Sequence, residues 1–362
     1  FICGGAFPDL ENIIKERSEI KHNEKKPITL YQYASSLIHL SADKYFMTEF
    51  SGEWAHEVNM TEQQLSFGKK MVDTKLGSRA GMICSPFFLL SLDQKAQENT
   101  GDVLFGTIAW TGNFRFTFEV DNENGLRVLS GINPYASEYS LKPNEVFRTP
   151  EFIFTYSTEG KGKASRDFQR WARKYQLKDG EKSRMTLLNN WEATYFEFTE
   201  EKILQLAQVA SRAGIELFVL DDGWFGKRNN DESSLGDWKV NLDKLPNGLN
   251  GLAERINELG MKFGLWFEPE MISIDSDLYR EHPDWAIHIE GRLPIYSREQ
   301  LVLDLTKQEV CDYIIDNVSS ILESANITYV KWDMNRNITN IPEGLANDQC
   351  FEFHHRYMLG LY

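Results

Sequence analysis

Over the first 165 residues, apolar and polar side chains alternate in short runs: DVLFGTIAW (102–110), FRFTFEVD (114–121) and LRVLSGINP (126–134), with the turn-forming TGN and NENG between them. Strict alternation puts every second side chain on one face, so this part reads as antiparallel sheet. At SRDFQRWARKYQL (165–177) the period lengthens. Phe168, Trp171, Ala172 and Tyr175 recur at helical spacing and predict a linker helix within 166–183.

From 184 to 362 short apolar strands alternate with amphipathic helices. The strands are MTLLNNW (185–191), ELFVLDDGW (216–224), KFGLWFEPE (262–270) and ITYVKWD (327–333), with LVLDLT (301–306) as a shorter one. The helices are TEEKILQLAQVASRAG, NGLNGLAERINELG and TKQEVCDYIIDNVSSILES. Gly214 and Gly260 are expected to stop the first two, and Thr306 with Glu309 has the spacing of a capping box at the head of the third. Repeated β-then-α units imply a parallel sheet.

The polar residues collect at one end of these strands: Asn189, Asn190, Trp191 and Glu192 close the first, Asp221, Asp222 and Trp224 the second, Trp266, Glu268 and Glu270 the third, Lys331, Asp333 and Asn335 the last. In a β/α barrel the site is built at the carboxyl ends of the strands, so the pattern predicts the first part of a (β/α)8 TIM barrel. Four or five strands do not close one. The remainder is expected beyond Tyr362.

Composition narrows the partners. With 39 Lys and Arg against 54 Asp and Glu, the net charge of −15 argues against nucleic acid and anionic membranes. No apolar run reaches the eighteen residues of a membrane-spanning helix. Cys3, Cys84, Cys311 and Cys350 are scattered without C-x-x-C spacing, which predicts neither a zinc site nor a disulfide framework and fits a reducing, cytoplasmic compartment. A chain starting on FICGG and ending on LGLY reads as cut at both ends, and a signal peptide would lie before the first cut.

Along YVKWDMNR (329–336), strand alternation puts Lys331 and Asp333 on one face. The Lys charge then favours the carboxylate by roughly 2–3 kcal/mol, keeping an ionised nucleophile ready for an electrophilic carbon. A lone K-x-D is more often a structural ion pair. Asp221 and Asp222 follow an apolar strand, and Gly223 permits a turn that exposes both. Two adjacent carboxylates suit sugar hydroxyls or a divalent metal, and the Trp191, Trp224 and Trp266 rings favour the sugar. No metal or cofactor is expected. Glu268 and Glu270 fit equally a role in the site or pairing with Arg298 or Lys262. His354 and His355 read as surface or packing residues of a barrel helix.

NNWEATYF, FVLDDGWFGKRNND, LGDW, KLPNGL, FGLWFEPEM, HPDW, R-x-x-LVLDL and YVKWDMNR occur in the order seen in α-galactosidases of glycoside hydrolase family 36, which the chain resembles over nearly its whole length. AWTGNF, GINP and TPE followed by SRDFQRW resemble that family's amino-terminal β-sandwich, whereas GMICSPFFLL (81–90) departs from its pattern. The resemblance implies an antiparallel β-sandwich over 1–165 and an incomplete catalytic barrel over 184–362. It implies Asp333 as nucleophile, Asp221 and Asp222 holding the galactose 4- and 6-hydroxyls, and Lys331 and Arg298 as further hydroxyl ligands. Trp191 and Trp266 become aromatic contacts, and Asn335 orients either the nucleophile or a sugar hydroxyl.

The implied activity is retaining hydrolysis of α-galactosides such as melibiose and raffinose, in a protein expected to be a homotetramer. The family's acid/base Asp lies in a segment absent here, so the chain by itself is expected to be inactive. Competing readings are a raffinose- or stachyose-synthase-like transglycosylase, a noncatalytic galactose-binding barrel, and a metal-dependent lyase or aldolase using Asp221 and Asp222.

Overall fold

The computed structural model describes residues 11–79, 81–289, 291–341 and 350–362, with the backbone of 2–3. It divides into two compact units, 1–182 with 344–358 and 183–343 with 359–362.

The first unit is built on two antiparallel sheets. The strands Phe114–Val120 and Gly125–Ile132 form a hairpin from Phe114 opposite Ile132 to Val120 opposite Leu126. Its turn is closed by Asp121, whose Oδ1 accepts from the backbone N–H of Glu123 and Gly125, and by Asn124 at φ 63°, the Asx chemistry that NENG supplies. Ser36–Ser41 and Gly68–Asp73 flank the hairpin in a four-stranded sheet.

The strand expected within 102–110 runs Val103–Ile108 and pairs with Cys84–Leu92 and Phe152–Ser157 in a six-stranded sheet. The TGN segment therefore carries the chain from one sheet to the other. Alternation specifies which residues face inward but not which strand lies alongside.

Phe88 of the six-stranded sheet meets Phe116 and Phe118 of the other at 5.1 and 4.8 Å between ring centroids. Gly106 leaves room for this cluster, since a Cβ there would sit 2.7 Å from Phe152 Cζ and 2.8 Å from Phe88 Cζ. Gly106→Val should cost about 1–3 kcal/mol through overpacking, read as a lowered urea midpoint. An unchanged midpoint would mean the rings can part freely.

The linker helix begins earlier and ends earlier than its apolar spacing suggests. It runs Gly160–Trp171 and passes into a wider π turn at Ala172–Gln176. Phe168 and Trp171 pack on Ile13 and Ile153, while Tyr175 is 42% exposed. The polar start GKGKA carries no apolar period that would announce it.

The helix Phe353–Leu361 also departs from expectation, because its residues through Met358 belong to the first unit. His355 stacks on Trp110 at 5.5 Å and His354 lies 5.8 Å from Tyr135. Both are buried, and burial pushes each imidazole down to about 4. They are core residues of the sandwich unit, not surface or packing residues of a barrel helix.

The second unit carries a parallel sheet of four strands in chain order, Leu187–Asn189, Leu217–Leu220, Lys262–Phe267 and Ile327–Trp332. Between them lie Glu200–Arg212, Gly248–Glu258 and Gln308–Glu323. Each helix buries one stripe, such as Ile203, Leu204, Ala207 and Ala210 on the first. Thr199 caps that helix by accepting from Lys202 N, and Gly214 and Gly260 follow the first two helices with φ of +82° and +81°.

Two local expectations fail. Leu301–Val302 joins no parallel strand and pairs antiparallel with Met271–Ile272 in a sheet of its own. At the third helix the N-cap is Lys307, with no side-chain cap, and the Thr306 hydroxyl donates to Asp304 Oδ1 at 2.6 Å. Thr306 lies one residue before the N-cap, so Thr306 and Glu309 are out of register for a capping box.

Candidate active site

The four parallel strands end together. Trp266 is the register partner of Lys331 and Phe267 of Trp332, and one step beyond Leu220 opposite Leu265 brings Asp221 to the same level. Lys331 reaches across the third strand and its Nζ lies 2.8 Å from Asp221 Oδ2. The expected electrostatic partner of Asp333 is thus engaged elsewhere.

Asp333 is held by neutral donors instead. Trp266 Nε1 and Asn335 Nδ2 donate to its Oδ2 at 3.0 and 2.8 Å, and the backbone N–H of Met334 donates to Oδ1 at 3.0 Å. Strand alternation alone could not reveal this, because Asp333 lies one residue past the end of its strand.

Asp221 and Asp222 are buried, contrary to the exposed turn expected of them. Gly223 does turn the chain, at φ +102°, yet the two side chains part. Asp221 takes Lys331 and the amide of Asn189, while Asn190 Oδ1 accepts from the Asp221 N–H at 2.8 Å. Asp222 receives three hydrogen bonds from Arg228, Nε to Oδ1 and Oδ2 at 3.0 and 3.2 Å and Nη2 to Oδ2 at 2.9 Å.

Burial pushes the Asp222 carboxyl upward, the Arg228 guanidinium pulls it back, and Asp221 adds to the rise. Arg228 is itself only 2% exposed and donates to Ser233 O. Lys244 braces the same turn with three bonds, to the carbonyls of Phe196, Gly223 and Arg228, and burial lowers its affinity for a proton.

The aromatic residues divide. Trp224 is fully buried and donates to Trp266 O, so it belongs to the core and not to a sugar-facing wall. Trp266 presents its indole N–H to Asp333, with only 2% of its surface open. Trp191 heads a short helix, Trp191–Thr194, half-buried with its ring at right angles to Tyr195 and Phe196. Arg298 is exposed, at φ 53°, and its Nη1 lies 3.5 Å from Asn335 Oδ1.

From the sequence, Asn189 and Asn190 stood among the polar strand ends without a role, Arg228 and Lys244 were not marked as site residues, and Glu268 was left undecided. The available signal for Glu268 was its spacing of two from Trp266. Glu268 is 1% exposed and its Oε1 accepts from the Asn335 N–H at 2.7 Å, so it turns to Asn335 and not to Arg298 or Lys262. Burial, then the Asp333 charge, raise its carboxyl from 4.5 to about 7.

A raised carboxyl binds its proton more tightly in the folded state, so its contribution to stability falls as pH climbs from 4.5 through about 7. Glu268→Gln lacks that loss. The variant should gain about 2–3 kcal/mol on the wild type between pH 5 and pH 8, measured by urea unfolding. A pH-independent difference would show that Glu268 stays ionised.

Carboxylates and cations gathered at the carboxyl ends of parallel β/α strands are the arrangement of enzymes built on a β/α barrel. The family model described as Melibiase matches residues 146–362, and that of the glycosyl hydrolase family 36 N-terminal domain matches 7–142. The chain belongs to the melibiase family, within glycoside hydrolase family 36.

It is 42% identical over 354 residues to the α-galactosidase AgaA of Geobacillus stearothermophilus, covering 97% of this chain and 48% of that protein. The crystal structure of the α-galactosidase AgaB from the same organism superposes with a TM-score of 0.93 at 42% identity, over 97% of this chain and 48% of that one. A variant of AgaA in complex with raffinose gives the same score and identity, over 97% and 49%. The chain spans about half the length of the curated relatives it matches.

Proposed function

We propose that this chain supplies the nucleophile and the galactose-binding floor of a retaining α-galactosidase acting on oligosaccharides such as melibiose and raffinose. The observation that carries the reading is Asp333, fixed by Trp266, Asn335 and the Met334 N–H at the open end of the parallel strands. Neutral donors orient the carboxylate without cancelling its charge. It can therefore attack the anomeric carbon as the glycosidic bond breaks, forming a galactosyl ester that water later hydrolyses.

Asp221 and Asp222 each face a cation already, Lys331 and Arg228, which favours hydroxyl recognition over metal binding. An axial 4-hydroxyl is then recognised by a preorganised carboxylate, left short of a donor by the wrong epimer. Trp191, Trp266 and Arg298 complete the sugar contacts, with Asn335 orienting the nucleophile. The raffinose complex of the related AgaA variant supports an oligosaccharide ligand.

The parallel sheet has apolar edges: Leu187 is 41% exposed on one side, and Tyr329 and Trp332 are 40% and 46% exposed on the other. Further strands beyond residue 362 would cover these edges and bring the acid/base carboxyl that protonates the leaving group. A cytoplasmic homotetramer remains part of this reading.

Mechanism-based labelling of the full-length protein with an activated 2-fluoro-galactoside should attach to Asp333, and attachment elsewhere overturns the assignment. The 362-residue chain should not hydrolyse p-nitrophenyl α-galactoside. Turnover by the chain alone would overturn the reading that its acid/base carboxyl lies outside these residues.

A further inference from the structure

Two successive residues of the third strand's end grip the segment that carries the nucleophile. Phe267 O accepts from the Asp333 N–H at 2.7 Å, continuing the sheet ladder. At the next step the ladder partner is a side chain: Glu268 Oε1 takes the Asn335 N–H at 2.7 Å. Asn335 in turn spends its amide on Asp333 Oδ2 at 2.8 Å. Pro269 follows immediately in the sequence, stiffening the backbone behind Glu268.

We infer that Glu268 is a positioning residue for the nucleophile: it fixes the Asn335 backbone, and so the amide that sets the direction of Asp333 Oδ2. The inference rests on the reading of Asp333 as the nucleophile. Glu268 has 1% of its surface open and spends its Oε1 on the Asn335 N–H, so its reach to the nucleophile runs through Asn335. A buried carboxyl in that place is costly unless something uses it, because Asp333 faces it from the fourth strand and Asp222 from the second. The cations of the site are engaged away from it, Lys331 on Asp221, Arg228 on Asp222 and Arg298 at Asn335 Oδ1. What Glu268 supplies is an acceptor oxygen at a fixed reach, which either protonation state provides.

The acceptor role separates three variants. Gln keeps the oxygen at the same reach, Asp is one methylene too short, and Ala removes it. In the full-length protein, the rate of covalent labelling by an activated 2-fluoro-galactoside reads the alignment of the nucleophile directly. Glu268→Gln should label within about threefold of wild type, whereas Glu268→Ala and Glu268→Asp should fall by about a hundredfold, the usual scale for a small misplacement of a reacting group. Galactose affinity should stay within about threefold throughout, because the sugar ligands are untouched.

Labelling of the Ala or Asp variant at the wild-type rate overturns the inference, as does a Gln variant as slow as Asp. A loss matched by an equal loss of galactose affinity does the same, since it would mark general disruption of the site. Should Ala fail to fold, the Gln and Asp pair decides alone. Wild-type protein that labels at a residue other than Asp333 fails the nucleophile reading instead, and that outcome is distinguishable by peptide mapping.

Discussion

Asp333→Asn in the full-length protein is expected to lower kcat for p-nitrophenyl α-galactoside by roughly 10³-fold or more, with KM little changed. The substitution is nearly isosteric, and one side of the new amide can still accept from Trp266 Nε1, the contact that Asp333 makes at 3.0 Å. What it removes is the negative charge that must become an ester oxygen. Loss of kcat with retained KM identifies a group acting in the transition state and not in ground-state binding. Retention of more than a tenth of the activity would return Asp333 to the status of a structural residue and leave a noncatalytic galactose-binding protein as the better account. Product analysis with an added acceptor sugar separates hydrolysis from galactosyl transfer, which share this nucleophile.

Arg228→Met should destabilise the chain by about 3–5 kcal/mol at neutral pH, because it strands the Asp222 carboxylate in the interior without its counter-ion. The two side chains are 2% and 6% exposed as residues, so water cannot take over the three lost hydrogen bonds. Without Arg228 the burial that already pushes Asp222 upward loses its main opponent. The carboxyl then holds its proton over a wider range in the folded state, and the deficit grows as pH rises. Urea unfolding at pH 5 and pH 8 measures both points. Adding Asp222→Asn should recover a large part of the loss, since an amide carries no charge to strand. A deficit equal at both pH values, and undiminished in the double variant, would mean that Arg228 matters for packing alone.

The pair illustrates what the sequence left open. DDGW announces two carboxylates and a turn, and Gly223 at φ +102° is where the turn falls. Nothing in the spacing says that Asp221 and Asp222 diverge, one to Lys331 from the fourth strand and one to Arg228 six residues on. Likewise K-x-D over 331–333 suggested a through-space partnership, because residues two apart on a strand share a face. The strand stops at Trp332, so the rule lapses one residue before it is needed. His354 and His355 show the same limit on a larger scale: a helical pattern over 353–361 said nothing of the Trp110, Tyr135 and Tyr139 rings that receive it.

By itself the sequence determined the elements and their polarity. Alternation in FRFTFEVD, the 3.6-residue stripes of the helices and the polar endings of four apolar runs follow from local geometry, and they were enough to place the chemistry at one end of a parallel sheet. The tertiary structure decided who partners whom. It sent Lys331 to Asp221, gave Asp333 to Trp266, and put Glu268 behind Asn335, because those contacts join residues separated by 67 to 110 positions and depend on register and distance across the sheet.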